Sequence, residues 1–408
     1  MAALTDAFVA WRNVVRHGRR TAIGALAVVF GTVALIVAAG FIEWIYFSMR
    51  EGTIHAGLGH LQVVRAGYLE HGVSDPFGYL LADDAPQYDR LRQLPHVRKV
   101  ARRLHFTGLV AFGESSLSFL GEGRDADNEV GGVDALIIES GAPLSSAAAD
   151  GVLVGQGLAA NLGVKVGDKV VLLINKRGGA LDGAEFTVRG IFSTQTKAYD
   201  DVALQIPFDV ANTLLQARGA HKWVVYLDRT ESTPLALRPV QALLSTGDFV
   251  VTPWYQAADF YNKTVRLFSR QVLVMKLIIA LVVMLSISNT MMMAVMERIG
   301  EIGTAMALGV RRARVLARFL AEGLFIGLIG AMVGVVLGYL VASGISKVGI
   351  PMPPPPGMGR GFVGEILVTP GLAFDAVILA LLTALLASTY PAWKASRMVT
   401  ADALRHGR

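Results

Sequence analysis

Four stretches of this 408-residue chain are apolar for longer than a globular core can hide: Thr21–Ile42, Val272–Met296, Phe319–Ile345 and Leu372–Tyr390. A helix needs roughly 20 residues to cross the hydrocarbon of a bilayer. Water is absent there, so a segment must satisfy its own backbone and only helices or closed barrels can span. With 53% hydrophobic and 17% charged residues the chain lies outside the usual range of soluble domains. The expected fold class is a membrane protein, an α-helical bundle of four transmembrane helices with a large α+β extracytoplasmic domain between helices 1 and 2.

Orientation is read from Lys and Arg in the short flanks, which are retained in the cytoplasm. Arg12, Arg16, Arg19 and Arg20 precede the first run; Arg298, Arg311, Arg312, Arg314 and Arg318 separate the second and third; Lys394, Arg397, Arg405 and Arg408 follow the fourth. The connection Ser346–Gly371 carries only Lys347 and Arg360 among basic residues. Both termini and the central connector are therefore expected inside a bacterial inner membrane. The expected segments are an interfacial elbow helix 1–20, crossings at 21–47, 271–296, 319–345 and 372–390, a periplasmic domain 48–270, a cytoplasmic connector 297–318, an outer Pro-rich loop 346–371 and a cytoplasmic tail 391–408. The first run is too long for a signal h-region and continues into Trp44, Tyr46 and Phe47, so it reads as an uncleaved anchor. The net charge of +6 points to anionic lipid headgroups and not to nucleic acid. Zero cysteines exclude disulfides, thiolate metal sites and cysteine catalysis.

Before the first crossing, Leu4, Phe8, Trp11, Val14 and Val15 recur at helical spacing with Arg12, Arg16 and Arg19 elsewhere on the wheel. Two readings stand side by side, an elbow helix in the inner interface and a basic flank with incidental periodicity. In the exterior segment, short β-branched runs alternate with Gly, Asp and Pro. His60–Val64, Leu117–Leu120, Val152–Val154, Lys169–Ile174, Phe186–Phe192, Val202–Ile206 and Trp223–Leu227 read as strands, and Gln87–Leu94, Gly157–Leu162 and Asp209–Gln216 as short helices. Trp223–Leu227 is expected to close the series.

Catalytic constellations are not found. His55, His60, His71, His96, His105 and His221 are scattered without metal-binding spacing, Ser115 and Ser116 lie in no nucleophile elbow, and Asp200 and Asp201 sit in a loop. No GxxxxGK[ST] is present, so no phosphate-cradling loop is available. The chain is expected to be no enzyme and to bind no cofactor of its own, so that any ATP-driven work would be powered in trans. In the third crossing Gly327, Gly330, Gly334 and Gly338 form a small-residue stripe for close helix packing. Asn289 is expected to hydrogen-bond between helices, and Lys276 to snorkel to the outer interface. No crossing carries the paired ionisable residues of an ion-coupled pump, which argues against a self-contained carrier. Pro351–Pro356 reads as an extended polyproline spacer.

The connector itself carries the most specific pattern. Glu297-Arg298, Glu301-Ile302-Gly303, Ala307-Leu308-Gly309 and Arg311-Arg312 together resemble the signature of the FtsX/MacB-type ABC transporter permeases, the class that includes the LolC/LolE lipoprotein-releasing pair. Ala10–Asn13 is similar to that family's N-terminal motif, Gly59-His60 and Gly67-Tyr68-Leu69 to the start of its exterior domain, Gly151–Asp168 to a segment within it, and Pro391-Ala392 through Ala401–Leu404 to its ending. The resemblance implies a mechanotransmission permease, in which two such subunits, identical or homologous, dock a dimer of cytoplasmic ABC ATPases through the connector. Ile299, Ile302, Met306 and Leu308 would be the apolar insertions, and Glu297, Arg298, Glu301, Arg311 and Arg312 would be rim residues or intrachain ion pairs. The expected work is extraction or export of a lipoprotein, lipid or other amphiphile, with a periplasmic carrier or adaptor as a further candidate partner. The alternative is FtsX-like signalling to a periplasmic partner such as a cell-wall hydrolase. LolC-type subunits carry a longer proline-containing hairpin where this chain has only Asn175–Glu185, so the resemblance is closer to LolE.

Overall fold

A computed structural model of the chain describes residues 12, 16, 18–72, 74–128, 136–146, 148–194, 196–353 and 361–398. The expected elbow helix and tail, and Pro354–Pro356 of the proline run, therefore lie largely outside the described residues. In chain order, α1 (Gly18–Thr53) leads through a π turn (Ile54–Leu58) to β1 (Leu61–Arg65), α2 (Tyr68–His71), β2 (Leu81–Ala82), α3 (Pro86–Arg92), β3 (Val97–Phe112), β4 (Ser115–Arg124), β5 (Ile137–Gly141), β6 (Gly151–Gly155), α4 (Gln156–Leu162), β7 (Lys169–Asn175), β8 (Leu181–Ser193), α5 (Lys197–Asp200), β9 (Ala203–Pro207), α6 (Phe208–Leu215), β10 (Gly219–Ala220), β11 (Lys222–Leu227), α7 (Thr233–Leu244), β12 (Phe249–Pro253) and α8 (Trp254–Ala257). The remainder comprises α9 (Asp259–Glu297), α10 (Ile299–Ala307), α11 (Arg312–Val348), β13 (Ile350–Met352), β14 (Phe362–Gly364) and α12 (Pro370–Ser396). Two compact units result, Met1–Tyr46 with Thr264–Pro351 and Val363–Arg408, and Phe47–Lys263 with Met352–Phe362.

In the exterior unit the strands close on themselves. β3 pairs with β4, β4 with β9, β9 with β6, β6 with β8, β8 with β7, and β7 with β3 again. Closure leaves these six strands without a free edge, which otherwise recruits foreign strands, and the ends of the sheet fall at β5 and β12. β3 makes this possible because its first half pairs with β11 and its second half with β7. At the changeover a Cβ on Gly108 would stand 2.2 Å from the Leu173 carbonyl oxygen, so the close approach needs glycine. The inward positions Val100, Leu104, Val152, Val154, Val170, Leu172, Val188 and Ile206 are fully or almost fully buried. The β11–β1–β12 extension is covered by α3 and α7, with Trp223 between Tyr88 and Phe249. Trp223–Leu227 does not end the series, since β12 follows and pairs with β1.

Two buried histidines are held neutral by their surroundings. Nδ1 of His60 accepts from the Leu227 N–H at 3.1 Å, and Nδ1 of His221 accepts from the His105 N–H at 2.9 Å. A backbone N–H can only donate, so each ring carries its proton on Nε2, which points to Thr230 Oγ1 for His60 and to the Pro76 carbonyl for His221. Burial pushes both imidazoles down to about 4.

The bundle unit packs through small residues. Cβ atoms built on Gly330, Gly334 and Gly338 would lie 2.5, 2.6 and 2.9 Å from Val28, Thr32 and Ile36 of α1, and one on Gly327 would lie 2.5 Å from Ala384 of α12. The glycine stripe thus meets helices of the same chain. On α9 the inward residues are Val283, Ile287, Met291 and Val295, four apart. Asn289, expected at a helix contact, is two residues from Ile287 and so about 200° round the helix, on the exposed side. The crossings also carry ion pairs that composition did not reveal. Lys276 does not simply snorkel but approaches Asp375 of α12 at 3.4 Å, and Glu322, inside the third apolar run, meets Arg298.

The histidines predict an acid limit to exterior-domain stability. Their folded values lie below the unfolded value of roughly 6.5, so the unfolded chain binds more protons in between. The stabilisation is complete above about pH 6.5 and is lost as pH falls from there to about 4, on the order of 3 kcal/mol per histidine. Thermal unfolding of the detergent-solubilised chain should show a flat midpoint from pH 8 to 7 and a falling one below 6.5, with the slope reduced in His221→Gln. A midpoint constant down to pH 4 would contradict this.

Candidate coupling site

The connector begins where α9 stops at Glu297. Arg298 breaks the helix with φ −100° and ψ 17°, and its carbonyl then accepts the first bond of α10, from the Ile302 N–H at 2.9 Å. α10 ends on a Schellman motif: the Val310 N–H donates to the Ala305 carbonyl and the Gly309 N–H to the Met306 carbonyl, each at 3.1 Å. Gly309 takes φ +93°, a conformation that costs little only for glycine. The Ala-Leu-Gly pattern is thus a helix stop, and Val310 turns back onto the bundle. Arg311, extended at ψ 141°, starts α11.

These two breaks leave a nine-residue helix with two unlike faces. Ile302 and Gly303 are buried, and Ile302 joins a cluster with Val295, Val315 and Phe319 against which Met306 and Val310 pack. Glu301, Thr304, Ala307, Leu308, Gly309, Arg311 and Arg312 are exposed. Leu308 is 82% exposed, unusual for a leucine on a helix end so rich in charge. The side chains of Glu301, Arg311 and Arg312 make no hydrogen bond or ion pair among the described residues.

The assignment of apolar insertions and charged rim changes accordingly. Ile302 faces the chain's own bundle, Met306 and Ile299 are half-buried, and Leu308 alone of the four projects fully. Of the two roles open to Arg298, rim residue or intrachain ion pair, the structure has the second. Its guanidinium donates to both Glu322 carboxylate oxygens at 3.0 and 3.3 Å, with side chains only 11% and 6% exposed. Glu322 is the sole acidic residue of α11, and its neighbour Gly323 lies so close to α12 that a Cβ would overlap Ser388 Oγ at 1.7 Å. The sequence offered one signal for the pair, a carboxylate inside an apolar run, which by its desolvation cost demands a cationic partner.

Buried pairs are strongly context-bound: removing one partner strands the other charge at a cost of about 3–5 kcal/mol. Glu322→Ala should therefore lower the stability of the solubilised chain by about that amount, read from thermal or denaturant unfolding. Glu301→Ala, on the open face, should stay within about 0.5 kcal/mol. Equal effects from both substitutions would show that the pair has no special role.

Comparison with known proteins agrees with this architecture. Residues 21–243, more than half of the chain, match the MacB-like periplasmic core domain, and residues 273–400 match the FtsX-like permease C-terminal family. No curated protein matches the chain over its sequence. Among solved structures, the periplasmic region of MacB from Actinobacillus actinomycetemcomitans is similar at 15% identity, covering 51% of this chain and 94% of that one with a TM-score of 0.36. The extracellular domain of the noncanonic ABC-type transporter YknZ from Gram-positive bacteria is similar at 12% identity, covering 47% and 98% with a TM-score of 0.35. The chain, with four membrane-length helices and its large α/β domain between the first two, belongs to the FtsX/MacB-type permeases, the multi-pass membrane subunits of ABC transporters.

Proposed function

We propose that the chain works by mechanotransmission: cytoplasmic ATPases dock on α10, and their closure moves exterior domains that extract or export a lipoprotein, lipid or other amphiphile. The observation that carries this reading is the division of α10. One face is locked into the bundle by Ile302 and, at its start, by Arg298–Glu322, while the other offers Leu308 among unpaired Glu301, Arg311 and Arg312. An apolar tip with a charged rim suits a groove on a partner. ATP and Mg belong to that partner, since the chain carries no phosphate loop.

Further features bear on it. The outward face of α9 presents Leu281, Leu285 and Asn289, and suits a second permease subunit, since an amide donates and accepts and can pair with a partner helix. The β7–β8 turn is tight, with Gly178 and Gly179 at φ +108° and +84° and a Lys176–Asp182 ion pair across it. It leaves no room for a carrier-capturing hairpin, which favours a LolE-like subunit or a relative with another cargo. The basic flanks support a cytoplasmic position for both termini and α10 and a periplasmic one for the strand-rich unit.

Co-purification in mild detergent should recover an ATPase, and Glu301→Lys with Arg311→Glu should weaken that association at least tenfold; unchanged recovery would remove α10 from its role. The chain alone should turn over no ATP. A membrane-impermeant maleimide should label Leu181→Cys in spheroplasts and Thr304→Cys only after lysis, and the reverse pattern would invert the topology. Recovery of a cell-wall hydrolase in place of lipid or lipoprotein would favour the signalling reading.

A further inference from the structure

The exterior unit takes in the last turns of α1, from Phe47 onward, and the way those turns are fastened to the sheet is specific. Glu51 accepts from Thr230 Oγ1 at 3.0 and 3.2 Å on its two carboxylate oxygens. Thr230 Oγ1 has one proton, and it is committed to Glu51. The contact between His60 Nε2 and Thr230 Oγ1, 3.2 Å, must then run from the ring N–H to the hydroxyl. His60 Nδ1, in turn, accepts from the Leu227 N–H on β11. The polarity of the whole chain is therefore fixed: Leu227 N–H to His60, His60 to Thr230, Thr230 to Glu51. It joins a helix end to the middle of a sheet through side chains that are almost all buried, His60 at 2% and Thr230 at 9% exposure.

Other contacts converge on the same few residues. Arg50 donates to Glu51 at 2.9 Å and to Glu231 at 3.2 Å, so the turn bearing Thr230 is held from both sides. α1 does not fray at its end but widens into the π turn, a form frequent at functional sites. The carbonyl of Gly57 in that turn accepts from Arg103 Nη1 at 3.1 Å; Arg103, 1% exposed on β3, also binds Glu122 and Tyr226. Ile54 and Leu58 pack on Trp254, Ala258 and Tyr261, which lead into α9. Gly59 completes the join: a Cβ there would be 2.3 Å from Val224 Cγ1 on β11.

We infer that Glu51, Thr230 and His60 form a directed hydrogen-bond latch that makes the outer end of α1 and the exterior sheet one rigid body, so that displacement of α1 reaches the domain undiminished. The last clause rests on the mechanotransmission reading, whereas the rigid join does not. Thr230 and His60 are positioning residues: they contact no cargo and act by denying the helix end a second orientation. Arg50 and the apolar contacts hold the helix near the sheet without them, but a shared nearness permits rocking where a directed chain of buried bonds does not.

The test uses Thr230→Val, which keeps the shape and removes the hydroxyl, and Thr230→Ser, which restores it. In the full-length chain alone, hydrogen exchange over residues 50–60 should quicken at least tenfold in Thr230→Val and return to within about threefold of the parent in Thr230→Ser. Peptides from β4, β9 and α11 should stay unchanged. Exchange over 50–60 equal to the parent, or faster exchange everywhere alike, would overturn the latch. The second arm adds the co-purifying ATPase and places spin labels at Leu181→Cys and Val348→Cys in this cysteine-free chain. Thr230→Val should keep ATP turnover within twofold while reducing the ATP-driven distance change at least fourfold, and Thr230→Ser should recover it. An undiminished distance change in Thr230→Val would overturn the latch and leave mechanotransmission standing. No distance change in the parent would sink mechanotransmission, with the exchange arm still deciding whether the join is rigid.

Discussion

A carboxylate inside a helix bundle has to be neutralised, and in this chain that requirement organises the connector. Glu322 lies in an apolar run at 5% exposure, and Arg298 satisfies it by standing outside both α9 and α10, at the break between them. The position of the pair fixes which way α10 rolls. Ile302 is turned into the bundle and Leu308 out of it, and the helix cannot rotate without exposing one and stranding the other. A short helix of nine residues would be marginal by itself. Here its Schellman stop, its inward face of Ile302 and Met306 and the ion pair together set its orientation.

The same logic, polar groups buried only with their partners, recurs in the exterior unit. Arg103 and Glu122 occupy one face of the sheet, and burial, which by itself would raise the Glu122 carboxyl, is outweighed by Arg103, so that it stays well below the usual carboxylate range. His60 and His221 are the neutral counterpart, each anchored by a backbone N–H. Such networks are costly when half-made and rigid when complete. Under the proposed mechanotransmission, that rigidity would matter more to the domain than additional stability.

Parts of this were legible from the order of residues. The hairpin strands β7 and β8, the unit from Gly151 to Asp168 with its Gly163 stop, and the four spans follow from local periodicity and turn chemistry. β3 was not legible, because its sixteen residues serve β11 with one half and β7 with the other, and its arginines and His105 interrupt the alternation expected of a strand. α7 was hidden by Pro239 within it. The side of α9 that Asn289 occupies was not legible, because a polar residue in a span indicates a need for a partner without saying on which side of the helix the partner stands.

The class of molecule can be read along the chain: spans, connector, family and the lack of a phosphate loop all depend on composition and on residues near one another. Which face of α10 is open, which arginine is an anchor and which are free, how six strands close, and that Glu51 is tied to His60 through Thr230 were decided only in three dimensions. The physical reason is that burial and hydrogen-bond partnership are properties of pairs. Glu51 and Thr230 are separated by 179 residues, and nothing local to either one specifies the other.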